Sequence, residues 1–181
     1  MKKTLTLISG LLMLLYPLLV YFSLGQVSIS TLALGLILLA IIRGFSARHT
    51  PGMPLQVSIL LVLAGILYIQ GNIAWLRYHP VLINLAMLAV FAYSLWRGPS
   101  VIERLARLSE PDLPASGVAY TRKVTQVWCG FFILNGSIAL WTACYASWDY
   151  WTLYNGGIAY VLMGALMAGE WILRQRIRTK Q

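Results

Sequence analysis

The stretch VTQVWCGFFILNGSIALWTACYA, residues 124–146, decides how this chain is read. It holds 23 residues without a charged side chain, preceded by Arg122-Lys123 and followed shortly by Asp149. About 20 predominantly apolar residues let a helix cross the ~30 Å hydrocarbon core of a bilayer. Only helices and closed barrels satisfy their backbone groups in lipid. The stretch lacks the period-two alternation of a barrel strand, so it is expected to be a transmembrane helix.

Working outward, five further segments look alike: Leu5–Leu24, Gln26–Ile42, Leu55–Asn72, Pro80–Trp96 and Trp151–Leu173. The 181 residues are 59% hydrophobic and only 10% charged, against about 25% for a soluble domain. The expected fold is therefore all-α: one integral-membrane domain over residues 1–181, a six-transmembrane-helix bundle. The first run resembles a signal peptide, with Lys2-Lys3 before it and Ser23-Leu24-Gly25 at its end. It exceeds the usual ~7–15-residue apolar region and is read as an uncleaved span.

The charges orient this bundle. Lys2, Lys3, Arg43, Arg48, Arg97, Arg104, Arg107, Arg122, Lys123, Arg174, Arg176, Arg178 and Lys180 all fall on one side of a six-span threading. Arg77 alone falls on the other. Positive residues stay cytoplasmic, so both termini are expected in the cytosol. The aromatic belts agree, with Trp75, Tyr78, Trp148, Tyr150 and Trp151 at the outer interface and Trp96, Trp128 and Trp171 at the inner one. The net charge of +9 sits in short gaps between apolar runs, which argues against nucleic acid as a partner and for lipid headgroups.

The longest polar connection, Arg97–Lys123, contains a second signal. Ser100-Val101-Ile102-Glu103 fits a capping box. Val101, Ile102, Leu105 and Leu108 predict an apolar face opposite Glu103, Arg104, Arg107 and Glu110, with Pro111 and Pro114 as stops. Such a helix between spans four and five is expected to lie at the interface, on the cytoplasmic leaflet or against a cytoplasmic partner.

Few polar residues enter the spans. Asn135 is at the middle of the fifth, followed by Gly136 and by Ala139 and Ala143 at four-residue spacing. It predicts a hydrogen bond between close-packed helices, or part of a polar cavity. Gln70 and Asn72 close the third span at the depth where Asn155, Gly156 and Gly157 open the sixth, with Arg77, His79 and Asp149 above them. Gln70, Asn72, Asn135 and Asn155 are accordingly the candidate binding residues of an outward pocket, and three spans followed by three carry the opposed topology of an inverted repeat. Gly136, Gly157, Gly164 and Ala168 are the candidate helix-packing residues, Gly164 and Ala168 as a small-xxx-small pair. Glu170 is expected to pair with Arg174.

Catalytic and metal chemistry finds little material. His49 and His79 fall in connections on opposite sides. Cys129 and Cys144 are about 22 Å apart along one helix and cannot form a disulfide. Neither has a partner at metal-ligand spacing, so no metal, cofactor or catalytic residue is expected.

Residues 96–178 resemble the bacterial inner-membrane intracellular septation protein A (YciB-like) family. The resemblance rests on Arg97-Gly98-Pro99 with its amphipathic stretch, Leu113-Pro114, Trp128 with Phe131-Phe132, Gly136, and the aromatic turn Trp148–Trp151. It implies a small inner-membrane protein acting through protein contacts in septation, elongation and envelope integrity. Asn135-Gly136 and Tyr154-Asn155-Gly156 depart from that pattern and resemble instead a sister group encoded near aryl-polyene or other lipid-like biosynthesis genes. The functional expectation is a non-enzymatic scaffold or accessory protein of envelope biogenesis, in a bacterial inner membrane. Its expected partners are the bilayer, membrane proteins of the envelope machinery and a second copy of the chain. A transporter or flippase accessory for a lipid-like metabolite is the alternative, and a membrane enzyme the second.

Overall fold

Prolines and glycines divide the apolar sequence into helices whose ends follow from backbone chemistry. The structure, a computed structural model, describes residues 2–46 and 53–178. Arg48, His49 and Lys180 lie outside the described residues, as do the side chains of Lys2, Lys3, Arg176 and Arg178. Nine α-helices occur among the described residues: α1 (Lys2–Leu14), α2 (Tyr16–Ser23), α3 (Ile29–Ser46), α4 (Met53–Gln70), α5 (His79–Arg97), α6 (Val101–Arg107), α7 (Ala115–Tyr145), α8 (Trp148–Leu153) and α9 (Ala159–Arg178). A 3-10 turn (Ile73–Tyr78) precedes α5, and a π turn (Tyr154–Ile158) joins α8 to α9. No described residue is in a strand, so the protein is all-helical.

Three continuous helical runs are long and apolar enough to cross a membrane: Ile73–Arg97, Ala115–Tyr145 and Trp148–Gln175. Ile29–Phe45 and Pro54–Gln70 are shorter apolar helices. The first apolar run is broken at Leu15, because Pro17 has no N–H for the carbonyl one turn earlier. The fifth expected span begins nine residues sooner than the hydropathy suggested, at Ala115 rather than Val124. Pro114 sets that start. Arg122 and Lys123 thus lie on a helix and not in a connection. At 31 residues α7 is about 46 Å long, so it exceeds a hydrocarbon core by several turns.

The contacts group the chain into two compact units. One comprises residues 1–83 and 138–158, the other residues 84–137 and 159–181.

In the first unit α3 packs along α4. Ala33, Leu36 and Ala40 of α3 and Ile59, Leu60, Leu63, Ala64 and Leu67 of α4 are buried, recurring at the three- and four-residue spacing of one helix face. The alanines allow close approach. Arg43 closes the open end by donating to Gln56 at 2.8 Å. α2 packs on α8 and on the π turn. There Gly156 sits against Pro17 and Leu18, which would be in ordinary contact, 3.5 Å, with a Cβ at that position.

In the second unit an aromatic core forms between α5 and α7. The rings of Phe91 and Phe132 meet edge-on at 5.1 Å, and Trp128 stands 5.7 Å from Phe132. Such pairs contribute beyond the area they bury. Ser94 ties this core to the start of α6 by accepting from the Val101 amide at 3.1 Å.

Helix α6 is only seven residues long, and its sides differ from the expected pattern. Ser100 caps it as anticipated, accepting from the Glu103 amide at 3.3 Å. The Glu103 carboxylate does not complete a capping box; it accepts from Arg107 Nε and Nη2 at 3.0 and 2.9 Å. With its charge so paired Glu103 is buried, while Leu105 and Leu108 face outward, 56% and 81% exposed.

Candidate functional site

The densest set of buried polar and aromatic groups in the first unit gathers where the 3-10 turn, the end of α7 and α8 meet. Asn72 starts the turn: its Oδ1 accepts from the Ala74 amide at 2.9 Å, the N-cap geometry expected of asparagine. The turn delivers Arg77 to the C-terminal end of α7. Arg77 Nη2 donates to the carbonyl oxygens of Thr142 and Ala146, and to that of Ser147 at 3.4 Å. The Thr142 and Ala146 carbonyls lie at the negative pole of the α7 dipole. The Thr142 oxygen also accepts from the Ala146 amide at 3.3 Å, and the Ser147 oxygen from the Trp151 amide at 3.0 Å. The guanidinium also stands over the Trp148 ring, Cζ 5.0 Å from its centroid.

Trp151, fully buried, returns the contact by donating its Nε1–H to the Arg77 carbonyl at 3.0 Å. Asn155, in the π turn, donates to Thr142 Oγ1 at 3.1 Å and to the Trp151 carbonyl at 2.9 Å. The Trp151 carbonyl accepts this side-chain bond in addition to one from the Tyr154 amide. His79 is the first residue of α5 rather than part of a connection, and its ring lies 4.1 Å from that of Tyr16. Tyr16 in turn donates to the Leu76 carbonyl at 3.1 Å. The buried Nε2 of His79 and Oγ1 of Thr152 have no hydrogen-bond partner. The Tyr21 hydroxyl donates to Asp149 at the start of α8.

Beside this cluster runs an apolar groove of about 540 Å3 along the last turns of α7, α8 and the π turn. Trp141, Tyr145, Tyr150, Leu153, Tyr154 and Ile158 form most of its wall.

Of the four candidate pocket residues, Asn155 is in this cluster, buried and bonded as above. Gln70 and Asn72 are exposed, and the amide oxygen of Asn72 is used within its own turn. Asn135 belongs to the second unit, where its Nδ2 donates to Asn84 Oδ1 at 3.0 Å. Of the four packing residues, Gly136 makes a close approach: a Cβ there would lie 3.0 Å from the Asn84 Cβ. Gly157 and Gly164 have nothing within 4 Å of such a Cβ, and Ala168 is exposed. Glu170 reaches the Tyr120 hydroxyl at 3.5 Å and forms no ion pair with Arg174. The one ion pair among the described residues is Arg107–Glu103, which lies close in sequence and needs no long-range fold. Cys129 and Cys144 are free thiols, and the Tyr78 hydroxyl is 3.6 Å from Cys144 Sγ.

The residue pattern puts Arg77 above the expected outward pocket and Trp151 in the outer aromatic belt, and gives Asn84 no role. Arg77 was visible as the lone cation outside the cytoplasmic set, but its carbonyl partners have no sequence signature. Asn84, an amide inside an apolar span, was the legible clue to the Asn135 bond.

The protein is thus all-helical, with three helical runs long and apolar enough to cross a membrane and with polar side chains on them that bond one helix to another. No family model matches the chain, and no curated protein or solved structure matches it.

Proposed function

We propose that the chain is a multi-pass protein of a bacterial inner membrane, threaded six times with both termini in the cytosol. In this reading it is a non-enzymatic scaffold or accessory subunit of the machinery that builds the envelope or a lipid-like envelope product. The observation that carries the reading is the division of labour among the small and polar residues of the spans. Asn135 and Asn155 are engaged in holding helices of this chain together. Gly164 and Ala168 on α9 are open, and their neighbours Val161 and Met167 are exposed. Lipid-facing helices bearing small residues at four-residue spacing are suited to receive another helix. The likeness of residues 96–178 to the septation family points the same way, as does the outward set of Leu105 and Leu108 on α6, suited to the cytoplasmic leaflet.

Gly164→Leu tests the assembly reading. A Cβ at position 164 has nothing within 4 Å and the position is exposed, so the variant is expected to insert and to melt like the parent. It is expected to lose self-association and the recovery of membrane partners in detergent pull-downs. A Gly164→Leu protein that assembles normally overturns the scaffold reading. Fusion of a periplasm-active phosphatase within Arg97–Lys123 tests the threading: high phosphatase activity there reverses the topology.

A further inference from the structure

The apolar groove and the charges bonded or adjacent to its wall residues have a ligand chemistry of their own. Its walls are aromatic and aliphatic, and about 540 Å3 falls within the range of small-molecule sites, with room for one hydrocarbon chain. Both helical runs that build it are long and apolar enough to cross a bilayer, so acyl chains have access to it. It lies at their ends, beside Trp148 and Tyr150, and amphipathic rings of that kind favour headgroup depth.

Two opposite charges stand at this level. Arg77 donates to the backbone of Thr142, Ala146 and Ser147, all three residues of the groove wall. It has no carboxylate within ion-pair distance among the described residues. Asp149 lies between Trp148, over which Arg77 stacks, and the wall residue Tyr150. It is exposed, and its hydrogen-bond partner is the neutral hydroxyl of Tyr21. A cation bonded to the backbone of three wall residues and a carboxylate next to the wall residue Tyr150 complement a headgroup with both a phosphate and an ammonium.

We propose that this groove seats one acyl chain of a zwitterionic, amine-headed phospholipid, its phosphate on Arg77 and its ammonium toward Asp149. The proposal needs the chain to lie in a bilayer but is independent of the scaffold reading, since neither Gly164 nor Ala168 lines the groove.

Native mass spectrometry of the full chain, delipidated and then offered equal phosphatidylethanolamine, phosphatidylglycerol and palmitate, tests it. One phosphatidylethanolamine per chain is expected to be retained over phosphatidylglycerol by roughly tenfold, the worth of one charge-assisted hydrogen bond. Asp149→Asn, which keeps an acceptor for Tyr21, is expected to abolish that preference. Leu153→Trp fills the groove from an exposed position and is expected to lower retention of the phospholipid without lowering the melting temperature. Equal retention of both phospholipids by the parent, preferential retention of palmitate, or unchanged retention by Leu153→Trp each overturns the proposal.

Discussion

The amide of Asn135 donates to the amide oxygen of Asn84 at 3.0 Å, joining the middle of α7 to the first turns of α5. Interhelical bonds of this kind contribute about 0.6–2 kcal/mol in membranes. Asn135→Leu is expected to destabilise the protein by that amount. Gly136→Ala, one residue on, places a methyl group 3.0 Å from the Asn84 Cβ and is expected to cost a similar amount. Unfolding titrations in mixed micelles measure both; a Gly136→Ala variant as stable as the parent means that α5 shifts at little cost.

Arg77 is the cap of α7, and its removal exposes the consequence. Arg77→Gln loses charged hydrogen bonds worth about 1.5–3 kcal/mol. Arg77→Lys keeps the charge but not the fork that spans several carbonyls, and is expected to fall between the two. Thermal melts in detergent give the order; equal melting of all three proteins counts against the cap.

Trp151 separates packing from hydrogen bonding. Trp151→Phe keeps most of the buried ring and loses the 3.0 Å bond to the Arg77 carbonyl, at about 1 kcal/mol. Trp151→Ala opens a cavity at a fully buried site and is expected to cost about 3–5 kcal/mol. Similar losses for the two variants contradict this division.

The exposed Leu105 and Leu108 suit the proposed seat of α6 on the leaflet. A nitroxide at position 108 in nanodiscs is expected to be relaxed by oxygen more than by a water-soluble nickel chelate. The reverse ranking removes the helix from the leaflet. Ser100→Ala is expected to cost about 0.5–2 kcal/mol by loss of the cap on the Glu103 amide.

Residue patterns alone carried the helical class and the approximate positions of its elements. The apolar runs at 26–42, 55–72, 80–96 and 124–146 overlap α3, α4, α5 and α7, and Ser100 marks the start of α6. Their legibility has a simple cause: in lipid each helix must satisfy its own backbone, so length and hydropathy are written into each segment separately. The same cause hides the contacts. α3 and α4 are apolar on every side, so no amphipathic stripe announces that Ala33, Leu36 and Ala40 face inward.

The bonds of the candidate site were legible only in pieces. Asn135 declared its need for a partner but not that Asn84, 51 residues earlier, supplies it. Gly156-Gly157 marked an irregularity without showing that Asn155 turns back to Thr142. The charge pattern of α6 did not show that Glu103, paired with Arg107, is buried while Leu105 and Leu108 stay exposed.

The sequence by itself determined that this is a helical chain with segments able to cross a bilayer, because that requirement is local. Tertiary structure alone decided which carbonyls Arg77 caps, which amides pair and where a groove opens. Helices in lipid choose neighbours by shape and a few hydrogen bonds rather than by segregating apolar from polar faces.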